Sequence, residues 1–392
     1  MYCKTMESYC YNYTWFPSQV LTLITTIITF FFCFSSSTTA TQTFSRIYAF
    51  GDSYTDTGNT KSSTGPTMFQ HVSNLPYGTT FFNKPTNRYS DGRLVIDFVA
   101  ETLNLPYLPP FLDRADMDTS HGVNFAVAGS TAIDHEFFVR NNLTVDNTPE
   151  SLKTELLWFD KFLEEQGCGE GANTNSDCSE LFDDTLFWVG EIGVNDYAYL
   201  IGSLVPTGTV QKLAIDSLSS FLQELLKKGA KYMVVQGLPS TGCLALSMSY
   251  SLFDDRDDMG CVGSVNLVTY MHNSQLQDKI QDLRKQFPNA VITYADYSNA
   301  YREVMKNTRK YGFQEPFEAC CGSGGGPYNF NLLATCGSPA ASRACSNPSQ
   351  FINWDGVHLT EAMYKVIADL FLHGGYCHPS FSDLLSRKTL GS

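Results

Sequence analysis

Residues 47–59 read Ile47-Tyr48-Ala49-Phe50-Gly51-Asp52-Ser53-Tyr54-Thr55-Asp56-Thr57-Gly58-Asn59. The first four form a short apolar run broken by glycine, the pattern of a strand buried on both faces. Gly51 permits a tight turn after that strand. Ser53 then stands on the turn, where its hydroxyl is exposed and neighbouring backbone N–H groups face the same cleft. Asp56 and Asn59 are placed to brace the loop.

Working outward, the same alternation recurs along the chain. Val123–Val127, Thr185–Val189, Tyr232–Val235 and Val291–Tyr294 are further short β-branched or aromatic runs, most of them followed by Gly or a polar loop. Between the runs lie amphipathic stretches. Leu94–Leu103 and Pro149–Glu165 are helical, the second with a Thr-Pro-Glu start. Thr209–Lys228 ends at Gly229, Ser264–Phe287 is closed by Pro288, and Thr360–Leu372 stops at Gly374-Gly375. Strands alternating with helices predict a parallel sheet covered on both sides, an α/β/α sandwich. We expect one such domain over 41–392. In open α/β sheets ligands bind beyond the carboxyl ends of the strands, so chemistry should follow the strands directly.

Two other segments meet that expectation, and one more carries chemistry late in the chain. Gly129 closes the run Asn124-Phe125-Ala126-Val127-Ala128-Gly129-Ser130, where a backbone N–H could approach an oxyanion. Gly193-Val194-Asn195-Asp196 follows the third strand. Asn195 offers an amide donor there, and Asp196 is suited to holding the loop. Asp355-Gly356-Val357-His358 comes late, before the last long helix. This spacing lets the Asp355 carboxylate accept the Nδ1 proton of His358 and leaves Nε2 to take a proton from Ser53.

Taken together, these segments resemble the GDSL family, also called SGNH hydrolases, and in particular the plant GDSL esterase/lipases. The resemblance runs over nearly the whole chain after the leader. It includes the Arg88–Glu101 stretch RYSDGRLVIDFVAE and the segment CCGSGGGPYNFN over Cys320–Asn331. It implies a three-layer flavodoxin-like fold, with Ser53 as nucleophile and His358 with Asp355 as the base pair. It implies an oxyanion hole formed by Ser53, Gly129 and Asn195. The activity implied is carboxyl-ester hydrolysis through an acyl-enzyme. Acyl transfer on the same residues and an inactive binding protein on the same fold are the alternatives. Two positions depart from the usual pattern: Tyr54 stands where Leu is usual, and Leu359 where Pro often follows the histidine. We expect these to bear on pocket shape. The glycine run Gly322–Gly326 lacks the helix and Lys of a phosphate loop and reads as a pocket loop beside His358.

The remaining features concern compartment and partners. Val20–Phe34 is fifteen residues without a charge, followed by small residues up to Ala40, which reads as a signal-peptide core. We expect residues 1–40 to be removed and the protein to be secreted. Of twelve cysteines, nine lie beyond the leader in Gly-, Asn- and Ser-rich loops, consistent with disulfides in an oxidising compartment. Cys168 with Cys178 and Cys243 with Cys261 are the expected local pairs, and the odd count leaves one thiol free. Cysteine spacings for zinc are absent from the sequence. Asn142-Leu143-Thr144 is a glycosylation triplet. A net charge of -14 argues against a nucleic-acid partner. The expectation is a monomer, without cofactor or metal, acting on a small-molecule ester or lipid.

Overall fold

The computed structural model describes residues 44–391, apart from 64–66, 144–147, 169–178 and 252–254. The expected leader and the glycosylation triplet's Thr144 lie outside the described residues. In chain order the elements that frame the site are β1 (Arg46–Phe50), α1 (Val95–Thr102), β2 (Gly122–Asn124), α2 (Leu152–Glu165), β3 (Thr185–Val189), α3 (Thr207–Lys227), β4 (Tyr232–Gln236), α4 (Gly263–Gln286), β5 (Val291–Ala295), α5 (Tyr297–Lys306), β6 (Glu315–Ala319), β7 (Phe351–Asn353), α6 (Glu361–Leu372) and β8 (Cys377–His378).

The main sheet runs β2-β1-β3-β4-β5-β8. Its first five strands are parallel, and β8 pairs antiparallel with β5. The five-strand order is that of flavodoxin-like folds, so the expected architecture is borne out. Side chains alternate across the sheet. Leu186, Trp188 and Val234 pack with α1, α5 and α6, while Phe187, Val189, Met233 and Val235 pack with α2, α3 and α4. Both faces are dry because parallel strands need helices over both sides.

The differences from the sequence reading have local causes. The ladder of β2 ends at Asn124, not at Val127. Beyond it the carbonyls of Asn124 and Ala126 accept from the Asn59 side-chain amide at 2.9 and 2.8 Å, so the chain is drawn toward the Ser53 loop. Helix α2 starts at Leu152 because Ser151 and Thr154 form a capping box. Helix α5 was not expected. Its buried positions Tyr297, Ala300, Tyr301 and Val304 have helical spacing but contain only one aliphatic residue larger than alanine.

Of the expected disulfides, Cys243–Cys261 forms as read. Cys168 is disulfide-bonded, and its expected partner Cys178 lies outside the described residues. Cys320–Cys345 and Cys321–Cys336 are two further bridges. They matter for position. The backbone N–H groups of Cys320 and Cys321 donate to the carbonyls of Asn353 and Trp354, the residues leading into Asp355. Among the described residues, Cys377 carries a free thiol. It is buried, and burial, with Asp296 nearby, pushes its pKa up to about 12.

Candidate active site

The turn after β1 is held from below. Gly51 has φ +135, and a Cβ there would lie 3.2 Å from the backbone of Gly190 and Glu191. Its N–H donates to Glu155 at 2.9 Å, and the N–H groups of Thr55 and Asp56 close onto the Asp52 carbonyl. Asp56 accepts from the backbone of Gly58, Asn59, Thr60 and Ala128, which makes it the brace expected of it.

The structure brings Ser53, His358 and Asp355 together across 305 residues of sequence. Ser53 Oγ lies 2.7 Å from His358 Nε2, and His358 Nδ1 lies 2.8 Å from Asp355 Oδ2. Asp355 also accepts the backbone N–H groups of Val357 and His358 at 2.9 and 2.8 Å, and the Tyr77 hydroxyl at 2.8 Å. Burial works to raise the Asp355 pKa, but the facing His358 and the donated hydrogen bonds outweigh it and hold the carboxyl below its ordinary value. Gly356, at φ +95, makes the turn that lets both ends of this segment face inward. The imidazole is flanked by the rings of Tyr89 at 4.4 Å and Tyr54 at 5.5 Å.

Gly129 and Asn195 line the same cleft. Gly129 adopts φ +80, and an added Cβ would meet the Phe69 ring at 2.3 Å. Among the described residues, the N–H groups of Ser53 and Gly129 have no acceptor. Asn195 differs from the sequence reading. Both hydrogens of its side-chain amide are engaged, one by Asp52 at 2.9 Å and one by the Ser130 carbonyl at 3.0 Å. Asp196 holds the loop as expected, accepting from Ala132 and Ile133 at 2.9 Å each.

Sequence reasoning missed three buried acids or tyrosines that shape this site: Glu155, Glu191 and Tyr77. Glu155 occupies the buried face of α2 between Leu152 and Phe159, a charged residue at an apolar register position, which was the available signal. Glu191 stands beneath the Ser53 turn beside Asp52. Burial pushes both carboxyls up, Asp52 to about 6 and Glu191 well above the carboxylate range; Asp52 raises Glu191 further, while Glu191 acts on Asp52 in the opposite direction and lowers it. The proton of this pair rests on Glu191, leaving Asp52 to accept from Asn195 and from the Tyr54 backbone. Tyr77 carries no local signal, since its partner lies 278 residues away.

Two expectations about the pocket need correction. Tyr54 does not shape it: the side chain is 2% exposed and lies behind the imidazole. The run Gly322–Gly326 does not line it either. Phe330 and Leu332 do, because the bridges at Cys320 and Cys321 turn the chain so that the residues after the run face the cleft. The cleft encloses about 220 Å³. Its walls include Phe69, Val72, Tyr199, Ile201, Leu246 and Phe330, with no Lys, Arg or Glu and no Asp except Asp355.

Residues 47–371 match the family model described as GDSL-like Lipase/Acylhydrolase. This chain belongs to the GDSL lipase/acylhydrolase family. Its relatives include a GDSL esterase/lipase of Arabidopsis thaliana, 55% identical, covering 95% of this chain and 98% of the relative. The sinapine esterase of Brassica napus is 38% identical, covering 89% and 90%. Acetylajmalan esterase 1 of Rauvolfia serpentina is 38% identical, covering 84% and 86%. The chain is thus a GDSL esterase/lipase, a carboxylic ester hydrolase acting on small-molecule esters. Among the described residues, no helix is long and apolar enough to cross a membrane.

Proposed function

We propose that this GDSL esterase is secreted and cleaves uncharged carboxylic esters through a covalent acyl-enzyme on Ser53. The observation that carries the reading is the 2.7 Å contact between Ser53 Oγ and His358 Nε2, with Asp355 on the far nitrogen at 2.8 Å. In this mechanism Oγ attacks the ester carbonyl carbon as its proton passes to Nε2. The carbonyl oxygen becomes an oxyanion that faces the N–H groups of Ser53 and Gly129. Asn195 joins them by turning one amide hydrogen from the Ser130 carbonyl or sharing it. Collapse breaks the bond to the alcohol oxygen, which takes the proton from His358. Water then attacks the acyl carbon as its proton passes to His358, and collapse breaks the bond to Ser53 Oγ, which takes that proton back and releases the acid. Asp355 remains ionised throughout and stabilises the imidazolium.

The cleft supports an uncharged substrate, because no Lys or Arg lines it to pair an anion and its one carboxylate, Asp355, is already engaged by four donors. A second cavity of about 420 Å³ shares Asn195, Ala198, Ile201, Leu246 and Val357 with the first and has no charged residue in its lining. It offers room on the other side of the carbonyl. The predicted leader, the bridges among loop cysteines and the exposed position of Asn142 support export and glycosylation. Product analysis with an uncharged aryl ester and a competing alcohol tests the reaction. Free acid should be the main product; ester of the added alcohol as the main product would make the protein an acyltransferase instead.

A further inference from the structure

Position 54 is where this chain departs from the usual GDSL motif, directly after the nucleophile. The Tyr54 hydroxyl donates to the carbonyl of Val357 at 2.6 Å. That carbonyl belongs to the peptide bond whose nitrogen is the backbone nitrogen of His358. A single hydrogen bond thus joins the residue after Ser53 to the residue before His358. The ring that carries it is fixed: it packs edge-on against Tyr297 and Tyr364 at 6.1 and 5.8 Å, and tilts against the imidazole. The other bonds on the base segment tie it elsewhere. Leu246 donates to the Gly356 carbonyl and Trp354 to that of His358, and neither reaches the nucleophile turn.

We propose that Tyr54 is a positioning residue that sets the distance between Ser53 Oγ and His358 Nε2. The inference rests on the reading of Ser53 and His358 as nucleophile and base. Leucine at position 54 offers no donor, so only a hydroxyl-bearing residue makes this tether. Burial and the neighbouring tyrosines keep the hydroxyl protonated, so it remains a donor at every working pH. Proton transfer needs the two atoms in hydrogen-bond reach, and a misplacement of about 1 Å can cost a hundredfold in rate. Removing one of several restraints on the segment should cost less, about tenfold.

The test compares wild type with Tyr54→Phe, which keeps the ring and removes only the oxygen. Rates are measured on a chromogenic ester and expressed per active site titrated with a fluorophosphonate, so unfolded molecules do not count. The expected result is a kcat about tenfold lower, a KM within twofold, and a phosphonylation rate that falls in parallel. A kcat per titrated site within twofold of wild type, or an effect confined to KM, overturns the proposal. Tyr54→Leu, the residue usual in the motif, is the second variant if Tyr54→Phe folds poorly. It should be as slow or slower, and wild-type turnover there likewise overturns the proposal. A protein whose Ser53 is not labelled at all in the wild type would instead refute the underlying reading.

Discussion

Removing the Tyr77 hydroxyl should destabilise the protein by the net value of one bond to a charged carboxylate. Asp355 accepts four hydrogen bonds, two on each oxygen, and Oδ2 divides itself between Tyr77 and His358 at 2.8 Å each. Tyr77→Phe keeps the ring, which packs against Tyr89 and Trp354, and leaves Oδ2 to the imidazole alone. A hydrogen bond to a charged group contributes roughly 1.5–3 kcal/mol, and the loss should fall in that range because the carboxylate stays buried with one donor fewer. The assay is urea unfolding of both proteins near neutral pH, where Asp355, held below its ordinary value, is ionised. A variant within about 0.5 kcal/mol of wild type, the range of an ordinary surface substitution, would refute the view of Asp355 as an ionised carboxylate shared by these two donors.

Asn195→Ala should lower kcat about a hundredfold to a thousandfold with little change in KM, as for loss of one oxyanion donor; an effect on KM alone would make Asn195 a substrate-binding group. Gly129→Ala should be slower still to fold or react, since its Cβ would sit 2.3 Å from Phe69 at a positive φ; a fully active variant would remove Gly129 from the oxyanion site. Stability should also depend on pH. Asp52 and Asp196 are pushed up to about 6 and about 7 by burial, so their contribution is full below the unfolded pKa and is lost as pH rises through these values. Asp355 has the opposite sign, its contribution present above the unfolded pKa and lost as pH falls through its lowered folded value. His272, which burial pushes down to about 3, also works against Asp52 and Asp196, its contribution being lost as pH falls below its unfolded value, but it is one group against two. The melting temperature should therefore be higher near pH 5 than near pH 8, and a steady rise from 5 to 8 would contradict the raised pKa values of Asp52 and Asp196.

The strand-turn segments were legible because each strand is a short, doubly buried run with a functional group directly after it. Ser53, Gly129 and Asn195 could be named for that reason and the Asp355–His358 segment for its spacing, and the structure gathers them in one cleft. What was not legible has a common physical cause. Tyr77, Tyr89 and Glu191 act through partners far away in sequence, and a tyrosine or glutamate in a loop looks the same whether it faces solvent or a catalytic carboxylate. The role of Tyr54 was misread for a related reason. Its neighbour Ser53 faces the cleft, but the turn sends the next side chain down into the core, where Tyr297 and Tyr364 receive it. Helix α5 escaped because its buried face is mostly tyrosine and alanine. The engagement of Asn195 by Asp52 and Ser130 depends on the approach of three loops and has no trace in any one of them.

Acylation of Ser53 is the decisive step, and trapping that intermediate is the experiment that decides it. The protein is treated with a fluorophosphonate, and separately with a slow aryl ester quenched in acid, then digested and mapped by mass spectrometry. One adduct is expected, on the peptide carrying Ser53, absent from Ser53→Ala, which should remain folded and lose essentially all turnover. An adduct on another residue, or a Ser53→Ala protein that still hydrolyses the ester at a substantial fraction of the wild-type rate, would contradict it.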